Sequence, residues 1–338
     1  AEELTKEVER LNKELAKATN KQPSKKIQQE YKTAIQGLNA VEWFDRGQQY
    51  ILSNQKDKAI DAYTRAIVLN PNYEEAYNGR GLVFFSKGLY DKAIKDFSKV
   101  INLTLKIKNP LSEGDKLIGK GEFDENSQTL KLIIEYAEVY NNRGLAYNKK
   151  GQYDRAIEDY TKAIELKPDY VKAYCNRGLA YSKKGKYDKA IENYNKAVAI
   201  YPNYAYAYNN RGLAYSKKGK YDKAIEDYNK AIAEGLKIIG QVDGKRPLNS
   251  KTFTLKNIKE FKTDDDALAA LNSKDADLID ITDDFIEPHA RLAEAYYNRG
   301  LAYYKLNNEM KGIEDLKKSA KLGSYEAKDY LKEKGIKW

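Results

Sequence analysis

The sequence of 338 residues is poor in the residue types that build metal and redox sites. It contains one cysteine, Cys175, and one histidine, His289, which excludes an internal disulfide and leaves too few ligands for a His/Cys zinc site. The same scarcity argues against a Cys–His or Ser–His–Asp nucleophile. No run of 18 apolar residues occurs, so the sequence predicts no membrane-spanning helix. We therefore expect no enzymatic activity, no metal and no cofactor.

Tyrosine, by contrast, is abundant, and it recurs in step with an Arg-Gly pair. The chain has 29 tyrosines but only 7 prolines. Successive Arg-Gly pairs are 34, 63, 34, 34 and 88 residues apart, which indicates a period of 34 interrupted by two insertions. A fixed period of this length is typical of repeat proteins. The arginines of the six pairs are Arg46, Arg80, Arg143, Arg177, Arg211 and Arg299.

When the repeat units are aligned, certain positions carry the same type of residue in every unit or in most units. An aromatic residue stands three before each arginine and another three after each glycine, so both share a helical face with the glycine. Alanine, an aromatic residue and alanine then recur at steps of four and three in most units, which indicates a second helix. Each unit is therefore predicted to be a helical hairpin that buries its apolar face by stacking on its neighbours. A glycine suited to a left-handed turn separates the two helices at Gly88, Gly151, Gly185 and Gly219.

This arrangement resembles the tetratricopeptide repeat family. The Arg-Gly phrase with its flanking aromatics matches the family signature, as do Pro71, Pro168 and Pro202 at the ends of second helices. The resemblance implies an all-α fold, a right-handed α-solenoid in which helical hairpins form a superhelix. Arginine stands where the family usually has leucine. We interpret it as a half-buried residue whose aliphatic stem packs and whose head group meets a carboxylate.

The phase of the repeats divides the chain into seven segments. The first contains an amphipathic helix and a degenerate repeat, which we interpret as a cap, with a coiled-coil dimerisation arm as the alternative. The remaining segments alternate repeats and insertions and end in a capping helix. In chain order they are 1–39 (cap), 40–107 (repeats one and two), 108–136 (first insertion), 137–238 (repeats three to five), 239–292 (second insertion), 293–323 (repeat six) and 324–338 (capping helix).

Both insertions are predicted to contain short β-hairpins. Apolar residues alternate with polar ones over 103–107 and again over 130–134, with turn-forming clusters between them. In the second insertion, 242–255 contains a turn and a strand-like run, and 264–271 favours a short helix. Pro288 is suited to open the first helix of repeat six.

The family resemblance also implies where a ligand would bind, because the first helices of successive hairpins line a groove in that family. Asparagine carries both a donor and an acceptor, so a column of asparagines can hold a peptide backbone whatever its side chains. The column is similar to the asparagine ladder in the repeat region of protein O-linked N-acetylglucosamine transferases, of which only the peptide-holding role is carried over. The alternative is that the asparagines only join adjacent helices. The predicted groove residues are Asn141, Asn142, Asn176, Asn209, Asn210 and Asn298, Leu145, Leu179, Leu213 and Leu301, and Lys149, Lys183, Lys217 and Lys305.

The lysines and the charge distribution favour an acidic protein or peptide as the partner. Residues 138–238 carry 20 Lys and Arg against 12 Asp and Glu. We therefore predict a non-enzymatic protein–protein interaction scaffold. Two alternatives stay open: a nucleic-acid-binding helical repeat protein, which a net charge of +10 and a pI near 9.1 permit, and a homo-oligomerising assembly scaffold. The compartment is also open: cytoplasmic, or extracytoplasmic if a leader was removed before Ala1.

Overall fold

A computed structural model describes residues 39–108, 128–243 and 288–338, and within these ranges the chain forms thirteen α-helices and no β-strand. The predicted all-α helical repeat solenoid is confirmed. The helices are α1 (Ala40–Leu52), α2 (Lys56–Leu69), α3 (Glu74–Ser86), α4 (Tyr90–Lys108), α5 (Gln128–Lys149), α6 (Tyr153–Leu166), α7 (Val171–Lys183), α8 (Tyr187–Ile200), α9 (Ala205–Lys217), α10 (Tyr221–Asp243), α11 (Pro288–Lys305), α12 (Glu309–Lys321) and α13 (Tyr325–Glu333).

The chain divides into two compact units, residues 1–146 and residues 147–338, and the division falls inside α5. In the first unit, α1 packs on α2, α2 on α3 and α3 on α4, and α1 also contacts α3. In the second unit, α6 to α13 pack on one another in chain order. The helices α7, α9 and α11, each the first of its hairpin, also contact one another in that order.

Each hairpin turns at a residue in the left-handed region. The predicted glycines Gly88, Gly151, Gly185 and Gly219 have φ between 71° and 73°. In the first and last repeats, Asn54 and Asn307 occupy the same position with φ of 55° and 58°. Asparagine tolerates this region better than other side chains do, so these two repeats keep the turn without glycine.

The glycine next to the arginine is needed for a different reason in four of the repeats, because an aromatic ring packs directly on its backbone. A Cβ atom on Gly178 would lie 2.8 Å from Cε1 of Tyr194, and one on Gly212 would lie 2.8 Å from Cε1 of Tyr228. Both tyrosines are 1% exposed, and burial raises the pKa of both phenols. These glycines therefore set how closely the two helices of a hairpin approach.

The neighbouring arginine links three helices of the second unit. Nε and Nη2 of Arg211 on α9 donate to the two carboxylate oxygens of Asp227 on α10, at 2.8 and 2.6 Å. Its Nη1 donates to Asn195 on α8 at 2.7 Å. The guanidinium carbon also lies 5.3 Å from the ring centre of Tyr208. The same two-pronged pair recurs between Arg80 and Asp96 and between Arg299 and Asp315, which confirms the interpretation of the arginine from the sequence.

One hairpin of the second unit departs from this pattern. Arg177 on α7 donates from Nε to the amide oxygen of Asn193 at 2.7 Å and from Nη1 to Thr161 at 3.0 Å. Asn193 is 5% exposed, and its own amide group donates to the backbone oxygen of Lys189. The guanidinium is therefore held by neutral oxygens, whereas those of Arg80, Arg211 and Arg299 meet a carboxylate.

A second set of ion pairs joins consecutive repeats at the surface. Asp154 in the first turn of α6 pairs with Lys184, and Asp188 in the first turn of α8 pairs with Lys218. The hydrogen bond from Lys218 holds the pKa of Asp188 below its ordinary value. Because these carboxylates are largely exposed, such pairs fix the register between repeats more than they add stability.

The β-strands predicted in the first insertion are wrong. Residues 103–107 lie in α4, and residues 130–134 lie in α5. An alternation of three apolar residues is too short to override the helical stripe that continues from the repeat, in which Ile101 and Thr104 are buried. The hydroxyl of Tyr136 on α5 donates to the backbone oxygen of Ile101 at 3.4 Å, which joins the two helices.

The remaining predictions for the flanks have mixed outcomes. In the second insertion, residues 239–243 are helical, while 252–255 and 264–271 lie outside the described residues. Pro288 begins α11, as predicted. The C-terminal helix is confirmed, since Ser324 caps α13 by accepting a hydrogen bond from the backbone N–H of Ala327 at 3.2 Å. The N-terminal cap and the coiled-coil alternative also fall outside the described part.

The missing carboxylate at Arg177 generates a stability prediction. Asn193→Asp supplies the carboxylate that Arg211 and Arg299 have, so we expect the free energy of unfolding of the second unit to rise by about 1–2 kcal/mol. Asp227→Asn, the reverse change one repeat later, should destabilise by a similar amount. Denaturant unfolding followed by circular dichroism measures both. An Asn193→Asp variant of unchanged or lower stability would contradict the prediction.

The surface ion pairs generate a prediction on pH. Because the folded-state pKa of Asp188 is lowered, the contribution of its pair is present above the ordinary carboxyl pKa and is lost as the pH falls through the lowered value. In Lys218→Gln the pKa of Asp188 should rise towards the ordinary value. The pKa of Asp154 should stay lowered, because its partner is Lys184. Carboxyl titration by NMR tests this, and an unmoved Asp188 would refute the pairing.

Candidate functional site

The first helices of the second unit each keep one face free of the hairpin core. At 100° per residue, Asn176, Leu179 and Lys183 share a face of α7 that lies opposite the face of Tyr174, Gly178 and Tyr181. The same steps recur on α9 and α11, which contact α7 and each other in order. We call the resulting surface the first-helix face. It consists of Lys172, Asn176, Leu179 and Lys183 on α7, Tyr206, Asn210, Leu213 and Lys217 on α9, and Glu294, Asn298, Leu301 and Lys305 on α11.

One edge of this face carries a row of exposed lysines. Lys183, Lys217 and Lys305 occupy the last turn of α7, α9 and α11. All three are exposed, and none has an ion-pair partner among the residues that the structure describes. Lysine in the last turn of a helix also interacts favourably with the helix dipole, which accounts for part of the preference at this position. The adjacent Lys184 and Lys218, by contrast, are paired with aspartates.

The middle rows of the face are less accessible than the lysines. Leu179, Leu213 and Leu301 are half-buried, as are Asn176 and Asn298. Asn210 is only 8% exposed, and its amide group donates to the backbone oxygen of Tyr206 in its own helix at 2.9 Å. A ligand on this face would therefore meet leucine and amide edges at its floor and ammonium groups along one side.

Asn209, one position before Asn210, forms hydrogen bonds to a neighbouring helix. Asn209 is 6% exposed and donates to the carboxylate of Glu294 at 3.2 Å. The amide group of Asn298 donates in turn to the side-chain oxygen of Asn209, also at 3.2 Å. These bonds join α9 directly to α11. Asn209 and Asn298 thus link adjacent first helices, and for Asn298 this is the alternative that the sequence left open.

The remaining predicted groove residues lie at or near the boundary between the units. Asn141, Asn142 and Leu145 belong to the first unit, where Asn141 and Leu145 are 2% and 4% exposed and Asn142 is half-buried. Lys149 belongs to the second unit and is exposed in the last turn of α5. The contacts between α7, α9 and α11 place the residues of these three helices on one described surface.

Cys175 stands next to Asn176 on α7, but it is a core residue. It is 1% exposed and packs in a cluster with Tyr194 and Ala207. Burial alone raises the pKa of its thiol well above the ordinary value. A thiol of this kind is a small apolar space-filler, because the reactive thiolate is strongly disfavoured.

The prediction omitted the row one turn before the asparagines. Lys172, Tyr206 and Glu294 stand four residues earlier in each helix, and a step of four would have found them. Tyr206 stacks under Arg291, whose guanidinium carbon lies 5.3 Å from the ring centre. This row differs in chemistry from one repeat to the next, whereas the lysine row does not.

Two kinds of feature are absent from residues 39–108, 128–243 and 288–338. None of the helices there combines the length and the apolar character that crossing a bilayer requires. Nor does that part of the chain bring three or more His, Cys, Asp or Glu side chains into a cluster suited to a metal ion.

Comparisons with known proteins give consistent similarities. One relative is Small glutamine-rich tetratricopeptide repeat-containing protein 2 of Mycosarcoma maydis, which is 40% identical over 110 residues, or 32% of this chain and 23% of that protein. BBSome complex member BBS4 of Bos taurus is 28% identical over 127 residues, or 36% of this chain and 24% of that protein. The chain thus spans about a quarter of the length of these relatives.

A solved structure and the family models agree on the repeat. The crystal structure of a tetratricopeptide repeat protein from Parabacteroides merdae is similar with a TM-score of 0.52 at 17% identity, covering 97% of this chain and 98% of that one, which shows the fold. Models described as TPR repeat or tetratricopeptide repeat match residues 47–88, 74–106, 144–185, 171–204, 205–234 and 293–322. Because these matches cover more than half of its residues, the chain belongs to the tetratricopeptide repeat family.

Proposed function

We propose that this chain is a non-enzymatic scaffold that binds an extended, acidic peptide or protein segment on the first-helix face of its second unit. Tetratricopeptide repeat proteins generally mediate protein–protein interactions, and the repeat is typically a non-enzymatic scaffold. The bovine relative is by name a member of a complex, which agrees with such a role. The location and the chemistry of the ligand are our additions to that general function.

The observation that carries the proposal is the row of Lys183, Lys217 and Lys305. Three exposed ammonium groups stand at the same position of three contacting helices, without an ion-pair partner in the described ranges. Charges of one sign held in a row repel each other, and an acidic ligand relieves that repulsion. The neighbouring aspartates do not relieve it, because Asp154 and Asp188 are already paired with other lysines.

The other rows of the face would supply contact rather than charge. The half-buried Leu179, Leu213 and Leu301 offer apolar surface to the ligand, and burying it would add to affinity. Asn176 and Asn298 are half-buried, and an amide group can both donate to and accept from a peptide backbone. Asn141, Asn209 and Leu145 are too deeply buried to take part in this surface.

A binding experiment with defined peptides tests the proposal. Fluorescein-labelled 12-residue peptides of Asp, Gly and Ser, with neutral and basic peptides of equal length, are titrated with the protein and followed by anisotropy. We expect the acidic peptide to bind at about micromolar Kd, which corresponds to about 8 kcal/mol. The triple variant K183Q/K217Q/K305Q should bind it about tenfold more weakly, because each exposed ion pair contributes up to about 1 kcal/mol.

The matched control removes the same number of charges elsewhere. Lys196, Lys230 and Lys321 are exposed on the second helices α8, α10 and α12, so K196Q/K230Q/K321Q changes the net charge equally. We expect this variant to bind the acidic peptide nearly as well as the unmodified protein. Equal weakening by both triple variants would mean that only overall charge matters, and the proposed site would be refuted.

A further inference from the structure

The guanidinium group of Arg177 keeps one nitrogen available to a ligand. The residue is half-buried, and its Nε and Nη1 donate to the side-chain oxygens of Asn193 and Thr161. Its third nitrogen, Nη2, has no acceptor among the residues that the structure describes, and it is open to solvent. A half-buried cation with only neutral partners is stabilised by an anion that reaches it from outside.

The next repeat shows what is missing at this position. Nε and Nη2 of Arg211 both donate to Asp227, whose two oxygens fill the fork of the guanidinium. Asn193 stands at the position of Asp227 but offers one oxygen, since its amide nitrogen donates to the backbone oxygen of Lys189. The negative charge and the second acceptor that Arg211 meets are therefore absent from the side chain that faces Arg177.

A lysine adds a second positive charge to this hairpin. Lys189 is exposed and stands four residues before Asn193, so the two share a face of α8. Its Nζ lies 5.6 Å from the ring centre of Tyr181, and it forms no ion pair within the described ranges. In repeat six, the equivalent arginine and lysine lie over a single ring, that of Tyr303, at 5.9 and 5.5 Å. The repeat therefore brings these two cations to the same aromatic position.

One exposed acid stands close to the two cations in the sequence. Glu192 precedes Asn193 on α8, and in the described part of the chain no ion pair joins it to Arg177 or Lys189. It lowers the positive potential without occupying Nη2. Two cations and one acid leave an excess of positive charge here, whereas in repeat five Asp227 balances the equivalent group.

The donors that remain favour a tetrahedral anion over a planar one. A carboxylate binds arginine most strongly through two parallel hydrogen bonds, but Nε of Arg177 is already bonded to Asn193. A phosphate monoester has about −1.5 to −2 charge at neutral pH and three strong acceptor oxygens. Such a group can accept from Nη2 with one oxygen and from the ammonium group of Lys189 with another.

We propose that Arg177 and Lys189 form a binding site for a dianionic phosphate group, the chemistry that a phosphorylated serine and inorganic phosphate share. The inference goes beyond the function proposed above and does not depend on it, because Arg177 is bonded to the second helices α6 and α8. A nucleic acid fits less well. Its binding groove needs positive charge along the backbone, and the next arginine is already paired with Asp227.

Peptides that differ in one side chain test the site. A fluorescein-labelled peptide of glycine and serine with one central phosphoserine is titrated with the full chain and followed by anisotropy. We expect it to bind at least about threefold more tightly than the same peptide with a central glutamate, because phosphate has more charge and more acceptors. Inorganic phosphate, added as a competitor, shows which of the two sources binds more tightly. Equal affinity for the glutamate peptide would overturn the assignment to phosphate.

Substitutions in one repeat then locate the contacts. Asn193→Asp places a carboxylate against Arg177, so it should weaken the phosphopeptide about fivefold, and K189Q should weaken it about two- to fivefold. K223Q, the equivalent of K189Q in repeat five, is the control and should leave the affinity unchanged. Because Asn193→Asp is expected to stabilise the fold, a loss of binding in this variant does not result from unfolding. Unchanged binding in both Asn193→Asp and K189Q would overturn the site.

A double substitution moves the site without changing the net charge. In N193D/D227N the carboxylate is transferred to repeat four, and Arg211 loses its own. We expect binding to return, and on addition of phosphate the side-chain Nε–H signal of Arg211 should shift in NMR spectra instead of that of Arg177. A thymidine oligonucleotide that bound more tightly than the phosphopeptide and depended on Lys189 would overturn the proposal. K183Q/K217Q/K305Q should keep phosphopeptide affinity, which separates this test from that of the first-helix face.

Discussion

In five of the six repeats the arginine guanidinium group is held between helices, and the packing of those repeats depends on this interaction. In the second unit Arg211 reaches a carboxylate on the following helix, an amide on the preceding one and the face of an aromatic ring in its own helix. A single side chain thereby fixes three helices relative to each other. Because the guanidinium is planar and offers several donors in fixed directions, it fixes angle as well as distance. Leucine, which the family usually has there, could supply packing but no such direction.

The arginine also separates the two roles of a first helix. The face that carries arginine, glycine and the two aromatic residues is committed to the hairpin, where the glycine admits a tyrosine ring to within contact of the backbone. The opposite face is then released from packing within the hairpin. The residues of this opposite face can vary or repeat according to what they contact outside the hairpin. Each of the two faces therefore keeps similar residues from repeat to repeat for its own reason. One face packs inside the hairpin, and the residues of the other depend on what they contact outside it.

Much of the fold could be predicted from the sequence because it is local and periodic. The 34-residue step, the turn glycines and the arginine–carboxylate pair all follow from residues at fixed spacing. Asn54 and Asn307 were missed as turn residues because asparagine is a weaker signal for a left-handed conformation than glycine. The predicted β-strands of the first insertion were wrong because an alternation of three apolar residues is a weaker signal than the helical apolar stripe that continues through α4.

The candidate site was only partly predictable from spacing. Position in the repeat indicates which residues share a face, but not which of them a neighbouring helix covers. Asn209 and Asn210 are adjacent, yet one joins α9 to α11 and the other bonds to its own helix. That difference depends on Glu294, which is 85 residues away in the sequence. Accessibility of this kind depends on tertiary packing and cannot be read from a single repeat.

The long helices α4, α5 and α10 have a consequence for how this chain can change. Their additional residues lie at junctions between one hairpin and the next, at the C-terminal ends of α4 and α10 and at the N-terminal end of α5, and the Arg-Gly phase is kept on either side. Added length at such a junction leaves every arginine–carboxylate contact intact, and loop entropy grows slowly with length. These junctions are therefore natural points for grafting a foreign domain or a fluorescent reporter without disturbing the stack.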